Sequence, residues 1–183
     1  MRRRFLPLRQ EEDESQKEIG GSVKSSIRRR KTLKPVVQLE ATGCGIASVA
    51  ALAGVTYRTA QRSARRLGIV ATDDRLWSGT AYVRRLLQRY GLRVHRSQTP
   101  FSSWSALPSL ALLAVRWHRE RGRPFWHWVV FVREEGGAHV LDSAAALTRH
   151  VRTDFWRMRP KWFIAITAAC REPRAGLARR RHG

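Results

Sequence analysis

Two observations predict an α+β fold. Through the first half of the chain apolar residues recur at helical spacing, and from Leu92 onward the pattern changes to short β-branched and aromatic runs separated by turn residues. Helices first and an antiparallel sheet afterwards is the α+β arrangement, with the change of period near Gly91.

The first helix is expected from Cys44, where Ile46, Val49, Ala50 and Ala53 share a face and Gly54 closes the run. A second starts at Thr56 or Arg58 and ends at Leu67, with arginines on its outer side and Gly68 after it. The third, Thr80 to Tyr90, puts Tyr82, Val83, Leu86, Leu87 and Tyr90 on one stripe. Strands follow at Leu92 to His95 and at Ala111 to Val115, then a polar turn spelled HRERGRP from His118 to Pro124. Phe125 to Val132 and Ala138 to Leu141, joined through Glu134 to Gly137, make a hairpin. A helical turn is expected at Asp154 to Met158 and a last strand at Trp162 to Thr167.

A chain of 183 residues with 43% hydrophobic content can bury one core of ordinary size. The predicted organisation is a flexible charged extension at 1–34, one domain at 35–168, and a basic C-terminal tail at 169–183. The formal net charge of +22 draws such a protein towards nucleic acid, anionic membrane or acidic partners. Much of that charge lies in end runs such as Arg2 to Arg4, Arg28 to Lys31 and Arg179 to Arg181. Two cysteines, Cys44 and Cys170, do not make a disulfide framework and fit a reducing compartment. No apolar run approaches the roughly 18 residues of a bilayer span, and no hydrophobic segment follows the first arginines as in a secretory signal. The expected location is the cytoplasm, where the basic tails can hold the chain peripherally at the inner face of the membrane.

Chemistry concentrates around Cys44. A thiol at a helix start meets unpaired backbone N–H groups and the positive end of the dipole, conditions that favour a thiolate. Such a nucleophile needs a general base, a group that orients the base, and an oxyanion donor. Of the six histidines, His127 sits inside the strongest strand pattern, PFWHWVVFV, while His118 lies in a charged turn and His139 at a strand start. Asp142 ends the next strand, so the hairpin can make it a neighbour of His127. Gln38, upstream of the thiol, offers a side-chain amide that can act with the Cys44 backbone N–H on an oxyanion. No histidine and cysteine cluster has metal-ligand spacing, so neither metal nor cofactor is expected.

Taken together, Gln38, Gly43-Cys44-Gly45-Ile46-Ala47 opening a helix, His127-Trp128-Val129-Val130 and Val140-Leu141-Asp142 resemble the papain-like double-glycine peptidases. These are the bacteriocin-processing domains of peptide-exporting ABC transporters and their standalone relatives. The resemblance spans about residues 35 to 168. It implies a papain-like fold with the thiol on the helical half and His/Asp on the sheet half. It further implies Cys44 as nucleophile, His127 as general base and acid, Asp142 as orienting acid and Gln38 as oxyanion donor. The implied substrate is a peptide cut after a Gly-Gly leader, with a separate ABC exporter as partner. Two positions depart from the pattern. Gly43 stands where many members have an acidic residue, leaving that role empty or moving it to Glu40, and Ser143 stands where proline often follows the Asp. The chain has no Gly-rich P-loop ending in Gly-Lys-Ser/Thr. The pair Gly20-Gly21 lacks apolar residues at helical spacing before it, so self-cleavage there is not expected.

Two other functions compete with a cysteine peptidase. One is a basic binding protein for nucleic acid or an acidic partner, using Trp126/Trp128 and Trp156/Trp162 beside arginines as stacking platforms, although no helix-turn-helix, zinc-finger or ribonucleoprotein motif accompanies them. The other is a fold that retains these residues but holds a Gly-Gly leader without cutting it.

Overall fold

The computed structural model describes residues 32–73 and 78–167. Most of the charged extension with Gly20-Gly21, and the basic tail with Cys170, lie outside the described residues. Among these residues the fold is α+β, three helices followed by an antiparallel sheet. No described helix is long and apolar enough to cross a membrane.

Helix α1 covers Cys44–Ala53, and every residue from Cys44 to Leu52 is buried, as expected for a small-residue helix with no polar face. Helix α2, Tyr57–Arg66, buries only Tyr57, Ala60 and Ala64 and turns its arginines to solvent; the Thr56 side chain accepts from the Thr59 N–H at its start. Helix α3, Ala81–Arg89, buries Tyr82, Val83, Leu86 and Leu87. The α3 stripe is the predicted one except that Tyr90 caps the helix, half-buried, whereas α1 is buried all round and not along one face. Leu33 and Val36 also pack, partly buried, against this helical core, so ordered contact begins ahead of Pro35.

The strands are β1 (Arg93–Val94), β2 (Thr99–Pro100), β3 (Leu110–Glu120), β4 (Arg123–Glu134), β5 (Gly137–Asp142), β6 (Val151–Arg152) and β7 (Trp162–Thr167). All pairings are antiparallel, in the order β1-β7-β3-β4-β5-β6, with β2 also on β7. The last strand among the described residues therefore lies inside the sheet, between β1 and β3.

Both faces of the sheet are covered. Leu112, Ala114, Trp128, Val130 and Ile164 meet the helices, while Leu113, Val115, Val129, Phe131 and Phe163 meet a second cluster that includes Leu107 and Met158. Burial on both sides is why these strands read as continuous apolar runs instead of alternating ones.

The segment His118 to Pro124 is not a polar turn. Strand β3 continues to Glu120 and β4 begins at Arg123, leaving a two-residue turn of Arg121 (φ 47°) and Gly122 (φ 79°). Two positive φ values in a two-residue hairpin loop match the right-handed twist of the strands. This stretch of β3 projects into solvent, so its side chains carry no apolar signal although its backbone remains paired. Between Val115 and His118 the register shifts in a β-bulge, with Arg116 at φ 54°. The helical turn expected at Asp154 to Met158 is a short 3₁₀ turn, Phe155–Arg157.

Val130 and Phe131 are adjacent, fully buried and on opposite faces of β4. Phe131→Ala is expected to cost about 3–5 kcal/mol and Val130→Ala about 1.5–3 kcal/mol in denaturant unfolding. A sheet packed on one face only would leave one of the two nearly neutral.

Candidate active site

Cys44 occupies the first position of α1, after Gly43, where backbone N–H groups have no partner within the helix. Ser48, one turn further on, donates its hydroxyl to the Trp128 carbonyl at 3.3 Å and fixes α1 against β4 beside His127. Cys44 and His127 line one cavity of about 250 Å³ together with Thr42, Tyr82, Arg116 and Trp126.

Val129 pairs with Asp142 in the register, so His127 and Asp142 are diagonal neighbours on one face of the β4–β5 ladder. His127 Nε2 lies 2.7 Å from Asp142 Oδ1. The Asp142 side chain is 1% exposed and that of His127 12%. A carboxylate this deeply buried requires full hydrogen bonding. Besides His127, Oδ1 accepts the Ala144 N–H at 3.1 Å, and Oδ2 accepts from Arg152 Nη1 at 2.9 Å. Arg152 is itself fixed by Asp154, through Nε to Oδ1 at 3.0 Å and Nη2 to Oδ2 at 2.8 Å.

The electrostatics follow from this packing. Burial alone would lower the His127 imidazole, but the Asp142 hydrogen bond, with the hydrogen bond and charge of Cys44, raises it from the ordinary 6.5 to about 9. Burial alone would raise Asp142; its bonds to His127, Ala144 and Arg152 hold it well below the usual carboxylate range. The arrangement therefore favours an imidazolium between a carboxylate and the thiol.

Gln38 is buried but differently engaged. Its Nε2 gives hydrogen bonds to the Glu40 and Ala41 carbonyls at 3.0 and 2.8 Å, and its Oε1 accepts from Ser143 Oγ at 3.1 Å. The Gln38 N–H also donates to the Ser143 carbonyl at 3.0 Å. Gln38 thus ties the loop before the thiol to the residue after Asp142, and its amide hydrogens point to backbone carbonyls. Glu40 accepts from the Tyr57 hydroxyl and from Gln61 Nε2. Burial, then the bond to Glu40 and its charge, push the Tyr57 phenol well above its ordinary range, which keeps it a donor.

Sequence reasoning gives Arg152, Ser143, Tyr57 and Tyr82 no role at the site, placing Tyr82 only on an apolar stripe and Ser143 only as a departure after Asp142. The glycines around the thiol hold the signal for the two tyrosines. A Cβ on Gly43 would stand 2.0 Å from the Tyr57 hydroxyl, and one on Gly45 would stand 2.4 Å from that of Tyr82. Tyr82 cannot readily give way, since its ring is buried and its hydroxyl accepts from Trp128 Nε1 at 3.0 Å. Burial, with the charge of Cys44 next, raises the Tyr82 phenol well above its ordinary value.

Three of the seven tryptophans pack on one another: Trp126, Trp128 and Trp162 meet edge to face with centroids 5.0–5.7 Å apart. Trp128 is fully buried and Trp126 and Trp162 are half-buried against it, whereas Trp156, at 83%, and Trp117, at 38%, are the exposed tryptophans among the described residues. Among the described residues no group of three or more His, Cys, Asp or Glu is placed to hold a metal ion.

No family profile and no curated protein matches the chain. Its fold is similar to that in the crystal structure of a double glycine motif protease from an AMS/PCAT transporter in complex with the leader peptide, at TM-score 0.50 and 16% identity, covering 78% of this chain and 96% of that one.

Two outcomes are expected. Gly45→Ala should lower stability by about 1–3 kcal/mol through the clash with Tyr82, read as a lower midpoint in denaturant. The His127–Asp142 pair should also leave a pH signature. A raised His127 adds stability that is complete below its ordinary 6.5 and lost as pH climbs through about 9. A lowered Asp142 adds stability present above its ordinary 3.8 and lost on acidification. The Tm gap between wild type and Asp142→Asn should therefore be widest from about pH 4 to 6.5 and shrink above pH 9; a gap that widens towards alkaline pH contradicts the pairing.

Proposed function

We propose that this chain is a papain-like cysteine peptidase that cuts a peptide bond after a Gly-Gly leader. The observation that carries the reading is the 2.7 Å contact of His127 Nε2 with the buried Asp142, beside a cavity that Cys44 and His127 share. The fold similarity to a double glycine motif protease supports it.

In this reading the Cys44 thiolate attacks the carbonyl carbon of the scissile bond, and the Cys44 backbone N–H at the start of α1 stabilises the oxyanion. Gln38 joins as second donor by exchanging one of its carbonyl partners for the oxyanion. His127, as imidazolium, protonates the leaving amine when the tetrahedral intermediate collapses to a thioester. Neutral His127 then takes a proton from water, which attacks the thioester and releases the acid, and the proton returns the site to its starting state. Asp142 holds the ring so that the nitrogen away from it serves the thiol, and Arg152 holds Asp142. A separate exporter is the expected partner, with the inner face of the membrane as the meeting place.

The engagement of Gln38 with two carbonyls favours a second reading, in which the cavity binds a Gly-Gly leader without cutting it. Mass analysis of Gly-Gly peptides after incubation separates the two. A peptidase releases the leader, and Cys44→Ala and His127→Ala each reduce hydrolysis by about 10³-fold or more; intact peptide with wild-type protein, despite binding, supports the holding function. Hydrolysis should fall above about pH 9 as His127 loses its proton, and Asp142→Asn should move that limb to lower pH. Iodoacetamide should label Cys44 at neutral pH; reaction only above about pH 8, as for free cysteine, sinks the activated thiol.

A further inference from the structure

A larger cavity, of about 620 Å³, has Asp142 in its lining. Five arginines line it, Arg116, Arg149, Arg152, Arg157 and Arg159, against two aspartates, Asp142 and Asp154. Both aspartates are already bound by Arg152. Arg157 lies over the Trp156 ring at 5.5 Å. No ion pair among the described residues engages the guanidinium groups of Arg116, Arg149 or Arg159. The concavity thus presents cationic donors in excess of its own anions.

Arg116 joins this cavity to the thiol cavity, since it lines both. Its backbone is specially built for the position: it sits in the β-bulge of β3 at φ 54°, a conformation uncommon for a non-glycine residue, and its carbonyl accepts from His118 Nδ1 at 2.9 Å. A bulge re-aims a side chain, and here the side chain stands where the two cavities meet.

We propose that the arginine-lined cavity binds a carboxylate-rich segment of the peptide whose scissile bond is presented to Cys44. This rests on the peptidase or leader-holding reading of the thiol cavity. Arginine forks suit carboxylates, and a peptide spanning both cavities passes Arg116. An acidic run set a few residues from the cut is the substrate class this predicts.

The test is fluorescence anisotropy at about 0.15 M salt, where weak surface attraction is screened. The probe is a labelled peptide of this chain's residues Gln10–Ser22, which joins the acidic run Glu11 to Glu14 to Gly20-Gly21. The comparison peptide carries Glu11→Gln, Glu12→Gln, Asp13→Asn and Glu14→Gln. The protein is the full Cys44→Ala chain with the same four neutralising changes, so that its own run does not compete. The acidic peptide should bind about tenfold or more tightly. Arg149→Glu with Arg159→Glu should erase that preference, and Arg58→Glu with Arg66→Glu on α2 should leave it. Equal affinity for both peptides overturns the proposal, as does a preference that survives the cavity reversals or is lost equally with the α2 pair. A single-stranded oligonucleotide that binds more tightly and is lost with the cavity pair overturns it in favour of a phosphate site. Because binding is read without the thiol, absence of hydrolysis by wild-type protein alongside a retained acidic preference sinks only cutting, whereas hydrolysis without that preference sinks only this site.

Discussion

A carboxylate that is almost wholly buried governs the second half of this molecule. Asp142 cannot remain charged at the end of an apolar strand unless both its oxygens are hydrogen-bonded, and the fold supplies an imidazole, a backbone N–H and a guanidinium. Each donor comes from a different place: β4, the loop after β5, and β6. The two-residue strand β6 would contribute little as a ladder, but its pairing with β5 puts Arg152 where the carboxylate needs it. Asp154, a little further on, fixes the arginine in turn.

The thiol side is organised by closeness of backbone. Two tyrosine hydroxyls come within reach of the chain on either side of Cys44, and only glycine leaves them room. Tyr57 anchors Glu40, and Tyr82 is anchored by Trp128 of the sheet. The two hydrogen bonds between Gln38 and Ser143 close the same gap from the other side. Helical half and sheet half are thus stitched together on both flanks of the cavity, which holds cysteine and histidine in register.

How far the sequence discloses this depends on where the signal lies. Helices α1 to α3 and the core of β3, β4, β5 and β7 are legible because burial forces a periodic or continuous apolar pattern. The outer stretch of the β3–β4 hairpin is not, since its β3 residues are exposed and its backbone pairing imposes no apolar period. Cys44, His127 and Asp142 stand out because each is a chemically special residue at a strand or helix position that fixes it. Arg152 does not: one arginine among many, on a strand too short to show a period, becomes visible only through its partner. Gln38 was legible as a polar residue near the thiol, whereas its pairing with Ser143 joins residues too distant in the chain for any spacing rule to connect.

The place of β7 bears on how the molecule comes into being. As a ribosome releases the chain, the helices can form early, but β3 has an open edge until Trp162–Thr167 arrives to fill the gap beside it. A nascent chain stopped before Trp162 would carry an exposed apolar edge of the kind that recruits other strands. Cys44 and His127 are both made before that strand, so the half of the chain that carries them waits on Trp162–Thr167 for the sheet to close around β3.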